Sequence, residues 1–178
     1  MDPTIEIADA RRSAADRDWV ANVYPLYLHD LSEFDDGYYR LNAQGRWEPD
    51  HLPDWLGAGR HQHALLIRAD GERAGFAFVG EAPFEHMTPG VDFRLCEFFV
   101  LRSLRGRGIG RAAALDLFGR FPGRWEVEEM RRNEPAVRFW RQVIGELGGV
   151  LEELLSEKGF PRQVFESPRG IGGDTSRP

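Results

Sequence analysis

Residues 105–111 read Arg-Gly-Arg-Gly-Ile-Gly-Arg and carry the clearest chemical signal in the chain. They follow a strand-like apolar run at 92–101 and precede an apolar, helix-forming run at 112–118. Glycines let the backbone approach a ligand closely, and the first amides of a helix point outward at the positive end of its dipole. The arginines add charge-assisted donors that suit phosphate. The stretch therefore predicts a phosphate or pyrophosphate site.

The spacing of the glycines distinguishes between the known types of phosphate-binding loop. A Walker A loop needs Lys followed by Ser or Thr, and the dinucleotide fingerprint needs G-x-G-x-x-G, whereas Gly106, Gly108 and Gly110 are spaced by two. The stretch resembles the acyl-coenzyme A loop of the GCN5-related N-acetyltransferase (GNAT) family, whose pattern is Gln or Arg-x-x-Gly-x-Gly or Ala. Arg105, Gly108 and Gly110 fill those places, and Val100 stands where the family ends its central strand with an aliphatic residue.

The resemblance implies acetyl-CoA, or another short acyl-CoA, as the cofactor. In similar proteins the end of the central strand pairs its backbone with the pantetheine arm, and the loop amides receive the pyrophosphate. A second motif has an Asn before a helix and an aromatic pair in its second turn. Asn133 has the alternative role of a plain helix N-cap. Arg111 has the alternative role of an ordinary surface residue of a helix. The implied cofactor-binding set is Phe99, Val100, Arg105, Gly106, Arg107, Gly108, Ile109, Gly110, Arg111, Asn133, Ala136, Phe139 and Trp140.

Glu97 is the predicted base. Acyl transfer to an amine needs the amine neutral, so a carboxylate or His often removes its proton. The family frequently keeps a base at this place in the central strand, and strand alternation puts Glu97 and Phe99 on one face with Phe98 and Val100 on the other. A carboxyl in so apolar a strand is expected to be paired or to have a raised pKa. The alternative role is a structural, hydrogen-bonding carboxylate.

Trp140 departs from the family pattern. Similar enzymes often place a Tyr there, whose phenol protonates the departing thiolate, and the indole N–H is not a usable acid. The departure leaves open a non-catalytic acyl-CoA-binding or sensing domain. A second alternative, a nucleotide-binding protein, lacks a phosphate Lys and a Mg²⁺ site. If the chain is an enzyme, the proton comes from water or another residue, with candidate phenols at Tyr24, Tyr27, Tyr38 and Tyr39.

Acidic and aromatic side chains cluster after the first helix, in the region that lines the acceptor pocket of similar folds. An acidic and aromatic entrance to this pocket would attract an ammonium group. Charged loop residues are, however, equally typical of a surface that is simply solvated. The resemblance implies a primary amine as the acceptor, on a small molecule or on a protein, and no motif identifies which. The predicted substrate contacts are Glu33, Asp35, Tyr38 and Tyr39.

The composition indicates an ordinary globular protein. The chain has 178 residues, of which 42% are hydrophobic and 29% charged, so one domain over 1–167 with a flexible tail at 168–178 is expected. A net charge of -6 predicts no nucleic-acid or anionic-membrane partner. The single Cys96 excludes an internal disulfide, and the scattered histidines predict no metal site. The absence of a leader or spanning run predicts a cytoplasmic protein, monomeric or homodimeric.

Hydrophobic periodicity predicts the strands and helices that position these residues. Seven runs read as strands, and helices are expected after Ser13, at 112–118 and after Asn133. Pro25 is expected to kink or break the first helix, and 33–59 reads as loop with one helical turn at 52–56. The resemblance implies a mixed α/β sheet of about seven strands flanked by helices, whose fourth and fifth strands splay apart to admit the cofactor. The predicted strands lie at 4–8, 63–68, 74–79, 92–101, 125–130, 150–155 and 163–165.

Overall fold

The computed structural model describes residues 3–57 and 59–168. It contains β1 (Ile5–Asp9), α1 (Ala14–Ser32), β2 (Arg40–Leu41), β3 (Trp47–Glu48), α2 (Leu52–Leu56), β4 (Gln62–Ala69), β5 (Glu72–Glu81), β6 (Phe93–Val100), α3 (Ile109–Arg120), β7 (Gly123–Glu128), α4 (Glu134–Glu146), β8 (Glu152–Leu155) and β9 (Pro161–Ser167). Seven strands form one mixed sheet in the order β1-β4-β5-β6-β7-β9-β8, and β2 pairs with β3 in a separate hairpin. The predicted α/β sheet of about seven strands flanked by helices is confirmed.

The sheet is buried on both faces. One core lies against α3 and α4 and receives Ala77 and Val79 of β5. The other lies against α1 and α2 and receives Phe76 and Phe78 of the same strand. This alternation explains why the β5 sequence is almost continuously apolar, since both faces of the strand are covered.

The parallel pair β6–β7 is short, and this shortness opens the sheet. Its ladder joins only Phe93, Arg94 and Leu95 to residues 125–127. Beyond Leu95 the rest of β6 stays paired with β5, as far as Val100 opposite Gly75. In the described part of the chain, the β7 side of residues 96–100 therefore faces a slot. The predicted splay of the fourth and fifth strands of the main sheet is confirmed.

A β-bulge sits at the point where β6 and β7 diverge. Phe78 of β5 is opposite Glu97 and Val79 is opposite Leu95, which leaves Cys96 as an extra residue. Leu95 packs in the core under α3 and α4, while Cys96 packs against the core under α1. Because a bulge resets the alternation, Glu97 faces α1 instead of following Leu95 to the opposite side.

Three details differ from the sequence predictions or lie beyond them. Helix α1 continues through Pro25, so of the expected kink or break the break is excluded. The β2–β3 hairpin was not predicted, because strands of two residues show no periodicity. Of the predicted flexible tail at 168–178, only Pro168 falls within the described residues.

Candidate active site

A cavity of about 1470 Å³ occupies the slot between β6 and β7 and extends to the segment that follows α1. It brings together all the predicted site residues except Arg107, which is exposed, and Ile109, whose side chain is buried in the core. The predicted residues on its walls are Glu33, Asp35, Tyr38, Tyr39, Glu97, Phe99, Val100, Arg105, Gly106, Gly108, Gly110, Arg111, Asn133, Ala136, Phe139 and Trp140.

The end of β6 turns backbone groups into this slot. The Leu101 amide donates to the Ala74 carbonyl at 2.9 Å, which makes Gly75 and Val100 a non-hydrogen-bonded pair. The N–H and C=O of Val100 therefore point away from β5 and into the slot. The same alternation turns the backbone groups of Phe98 into the slot and those of Phe99 toward β5.

The glycine-rich loop forms an open cradle at the start of α3. Gly106 and Gly108 have φ values of +76° and +79°, and a Cβ built on either would meet nothing within 4 Å. Gly108 is the N-cap of α3, and its carbonyl accepts from the Ala112 amide at 2.9 Å. The first amides of α3 have no carbonyl of their own helix to bind, so the cradle offers the donors that an anion needs.

Two arginines of the loop, Arg105 and Arg111, are committed to other groups. Arg105 Nε donates to the Val100 carbonyl at 2.8 Å, its Nη2 donates to Asp30 at 2.6 Å, and its guanidinium lies 5.5 Å from the centre of the Phe99 ring. Arg111 forms a two-pronged pair with Glu146 at 2.8 and 2.5 Å. The backbone amides, more than these side chains, are the phosphate donors that this arrangement presents.

The second predicted motif packs α4 against β6. The Asn133 side chain accepts from the Ala136 amide at 3.2 Å and so caps the helix. The ring centre of Phe98 lies 6.2 Å from that of Phe139 and 5.1 Å from that of Trp140, the latter in an edge contact. The aromatic pair thus joins the helix to the strand along the slot.

Glu97 receives a hydrogen bond from the Tyr27 hydroxyl of α1. Burial of the carboxyl raises its pKa to about 7, against the lowering effects of the Tyr27 hydrogen bond and the nearby Arg94. The residue also lines the cavity. A carboxyl that is half-ionised near neutral pH and reaches a cavity can accept a proton from a bound amine.

The phenols around Glu97 are poor proton donors. Burial raises the pKa of Tyr24, Tyr27 and Tyr39, with the Glu97 charge adding to the effect. Tyr24 is also buried, and its hydroxyl has no hydrogen-bond partner. A raised pKa makes a phenol a weaker acid, which disfavours these three side chains as substitutes for the Tyr that the family often has at position 140.

The mouth of the cavity is aromatic and carries both signs of charge. The rings of Tyr38 and Tyr39 meet edge to face at 5.0 Å, and the Lys158 ammonium lies 5.2 Å from the centre of the Tyr38 ring. Asp35 turns its carboxylate to the loop backbone, accepting from the Gly37 amide at 2.6 Å and from the Tyr39 amide at 2.8 Å. Asp35 therefore shapes the mouth by holding its loop.

Glu129 is a wall residue that the sequence analysis missed. It follows β7 directly, is only 4% exposed, and neither of its carboxylate oxygens has a hydrogen-bond partner. Burial raises its pKa to about 8. In the sequence, Glu126, Glu128 and Glu129 resemble a solvated face. The available signal was strand alternation, which puts Glu129 on the same face as the apolar Trp125 and Val127.

Comparison with known proteins decides the family. The model of the Acetyltransferase (GNAT) family matches residues 23–145, which is more than half of the chain. The chain belongs to the GNAT acetyltransferase family. Among curated proteins, no sequence matches. Solved structures show the same GNAT fold at low sequence identity.

Three of these structures illustrate the similarity of this GNAT chain to known folds. An acetyltransferase from Thermus thermophilus is 18% identical with a TM-score of 0.63, covering 92% of this chain and 97% of that one. A Corynebacterium glutamicum structure, described as histone acetyltransferase HPA2 and related acetyltransferase, is 17% identical with a TM-score of 0.62, covering 97% and 99%. An aminoglycoside 6′-N-acetyltransferase complexed with coenzyme A is 13% identical with a TM-score of 0.58, covering 94% and 99%.

Acetyl-CoA is the cofactor that the GNAT family uses, and the cavity has features that fit it. The Val100 backbone faces the slot, the glycine cradle is open, and the first amides of α3 are available for a pyrophosphate. Within the described residues, no group of three or more His, Cys, Asp or Glu could hold a metal ion. In the same part of the chain, no helix is long and apolar enough to cross a membrane.

Proposed function

We propose that this GNAT protein transfers an acetyl or short acyl group from acetyl-CoA to a primary amine by direct attack. One observation carries the proposal. Glu97, with a pKa of about 7, lines the same cavity into which the end of β6 turns its backbone groups. A proton acceptor and a binding strand for the acyl donor thus share one space.

Acetyl-CoA supplies an activated thioester when bound. The open backbone of β6 pairs with an extended amide-bearing arm, as an added strand would. The cradle of Gly106 and Gly108 and the first turn of α3 hold the pyrophosphate. The amides of Phe98 and Val100 face the slot and are the donors available to polarise the acyl carbonyl. Catalysis comes mainly from this positioning.

Glu97 prepares the amine. An amine reaches the site as ammonium and must lose a proton before its nitrogen can attack the acyl carbon. Glu97 accepts that proton, directly or through one water, while the Tyr27 hydroxyl holds the carboxylate in place. As the new C–N bond forms and the C–S bond breaks, the nitrogen gives up a second proton to water, and the departing thiolate takes up one proton. With Trp140 in place of a phenol, water supplies that proton.

The acceptor is an amine approaching past Tyr38 and Tyr39. The Tyr39 ring and the Glu33 carboxylate line this mouth and suit an ammonium group. Two similar structures are described as an aminoglycoside 6′-N-acetyltransferase and as histone acetyltransferase HPA2 and related acetyltransferase, so small-molecule and protein amines are both suitable candidates. The net charge of -6 favours a cationic acceptor over nucleic acid.

The test is acceptor-dependent release of CoA from acetyl-CoA. Wild type and Glu97→Gln are assayed against a panel of aminoglycosides, polyamines, amino acids and basic peptides. Release by the wild type that falls at least about a hundredfold in Glu97→Gln supports the proposal. Binding of acetyl-CoA without release by any amine favours the second candidate function, a non-catalytic acyl-CoA-binding domain. Trp140 is the observation that favours this alternative.

A further inference from the structure

Helix α1 reaches β6 through two polar side chains on one of its faces. Tyr27 and Asp30 are three residues apart and therefore neighbours on the helix surface. Tyr27 donates to Glu97, and Asp30 accepts from Arg105 at 2.6 Å and from Arg102 at 2.7 Å. The helix is thus joined both to the base and to the segment that follows β6.

Arg105 connects Asp30 of α1 to the end of strand β6. Its Nε donates at 2.8 Å to the Val100 carbonyl, which belongs to the last residue of β6 and points into the slot. Its guanidinium lies over the Phe99 ring, and that ring makes an edge contact with Tyr27 at 5.9 Å. Asp30, Arg105, Phe99 and Tyr27 therefore form a closed set of contacts around the end of the strand.

Asp30 is held in its ionised form. Although partial burial opposes ionisation, the hydrogen bonds and charges of Arg105 and Arg102 hold the pKa of the carboxyl below its usual range. Its side chain is 20% exposed, whereas those of Arg102 and Arg105 are 73% and 43% exposed. Solvent screens such pairs, so their value lies in geometry more than in stability. Helix α1 ends two residues later, at Ser32, where the wall of the acceptor mouth begins.

We infer that Asp30 is a positioning residue. It holds the part of the cavity that receives the amine, on α1 and the segment after it, in place relative to the part that receives the acyl group, at the end of β6. By holding Arg105 on the Val100 carbonyl, Asp30 fixes α1, and with it Tyr27 and the acceptor wall, against the end of β6. This inference rests on the acyl transfer proposed above. A shift of about 1 Å between the two sides would cost up to about a hundredfold in rate, since the reacting atoms would no longer meet.

The test variant is Asp30→Asn, and the same helix supplies its matched control. Asp16 also binds two arginines, Arg68 at 2.7 Å and Arg73 at 2.9 Å, but it lies at the other end of α1, outside the cavity that contains Glu97. Asp16→Asn makes the same chemical change, although its deeper burial implies a larger loss of stability. Asp116→Asn, which removes an exposed pair with Arg120, is a second control with little expected loss of stability.

Two measurements separate positioning from stability. In the free protein, amide hydrogen exchange should speed up over residues 97–105 in Asp30→Asn and not in the controls. In the acetyl-transfer assay, kcat should fall about tenfold to a hundredfold with little change in the KM for acetyl-CoA, because the variant leaves in place the backbone amides of the glycine cradle that bind the pyrophosphate.

Two results overturn the inference: unchanged exchange over 97–105 in Asp30→Asn, or a kcat in that variant equal to that of Asp116→Asn. A wild type that transfers acetyl to no amine refutes the proposed function instead. The exchange measurement then still decides whether Asp30 holds the end of β6.

Discussion

The Tyr27 hydroxyl donates a hydrogen bond to the Glu97 carboxylate across the interface between α1 and β6. Glu97 faces α1 because the bulge at Cys96 turns it away from the face occupied by Leu95. Burial raises the pKa of Glu97 to about 7, and the Tyr27 hydrogen bond limits the rise. The bulge and the hydrogen bond together give a base that titrates near neutral pH.

Removing the Tyr27 hydroxyl should make Glu97 harder to ionise. A hydrogen bond to the charged form lowers a pKa, so in Tyr27→Phe the rise of kcat/KM with pH should move up by about one pH unit. Activity should be lower at pH 7 and largely recovered at pH 9. The control is Tyr24→Phe, one turn earlier, whose buried hydroxyl has no partner. Equal midpoints in wild type, Tyr27→Phe and Tyr24→Phe would contradict the assignment.

Glu97→Gln should remove the pH dependence together with most of the activity. The amide keeps the shape and can still accept from Tyr27, but it cannot take a proton from the amine. In the wild type kcat/KM should rise through pH about 7, where Glu97 ionises. Glu129→Gln provides the comparison, since the pKa of Glu129 is raised to about 8. A midpoint that survives in Glu97→Gln and disappears in Glu129→Gln would assign the base to Glu129.

The same substitution should stabilise the fold at alkaline pH. Glu97 has a pKa of about 7 in the folded chain against an ordinary value of 4.5, so the folded state binds the proton more tightly. Stability from this group is present below pH 4.5 and is lost as the pH rises to about 7. Above that pH, Glu97→Gln should raise the free energy of unfolding by up to about 3 kcal/mol. Urea unfolding at pH 5 and pH 8 measures this, and a variant less stable at pH 8 would refute it.

The order of elements was predictable because the core strands and helices are long and periodic. The sequence predicted the central strand, the glycine turn and the α4 cap at Asn133 close to their observed bounds. The pairing of Arg105 with Asp30 was not predictable, because 75 positions separate them in the chain and only the fold brings them together. The charge pattern of the loop suggested phosphate donors, whereas the structure commits that side chain to a carboxylate and a carbonyl.

The position of the β-bulge in β6 could not be predicted from the sequence either. Counting alternation back from Phe99 correctly joins Glu97 to the face of α1, but continuing the count would place Leu95 on that face too. Only the pairing of β5 with β6 shows that Cys96 is the extra residue. The partners of a bulge are set by the neighbouring strand, so the sequence of one strand does not reveal it.

Gly75 should be essential for the shape of the slot. It lies opposite Val100, and a Cβ at this position would overlap the carbonyl oxygen of Phe99. Gly75→Ala should displace the end of β6, lower the free energy of unfolding by about 2 kcal/mol and weaken acetyl-CoA binding. Gly119→Ala is the control: its Cβ meets nothing within 4 Å, and it should stabilise α3 by about 0.5–1 kcal/mol. Acetyl-CoA binding by Gly75→Ala that equals the wild type would show that the strand end does not hold the donor.

The most direct test is calorimetric titration of acetyl-CoA, with ATP in parallel, into wild type, Gly108→Trp and Gly71→Trp. Gly71 has a φ of +84° and open surroundings like those of Gly108, but lies in the β4–β5 turn, so Gly71→Trp reproduces the backbone strain away from the cavity. Acetyl-CoA should bind wild type and Gly71→Trp, and Gly108→Trp should lose that binding because the indole fills the cradle. Absence of acetyl-CoA binding by folded wild type, preference for ATP, or undiminished binding by Gly108→Trp would contradict the assignment of this loop and of the reaction built on it.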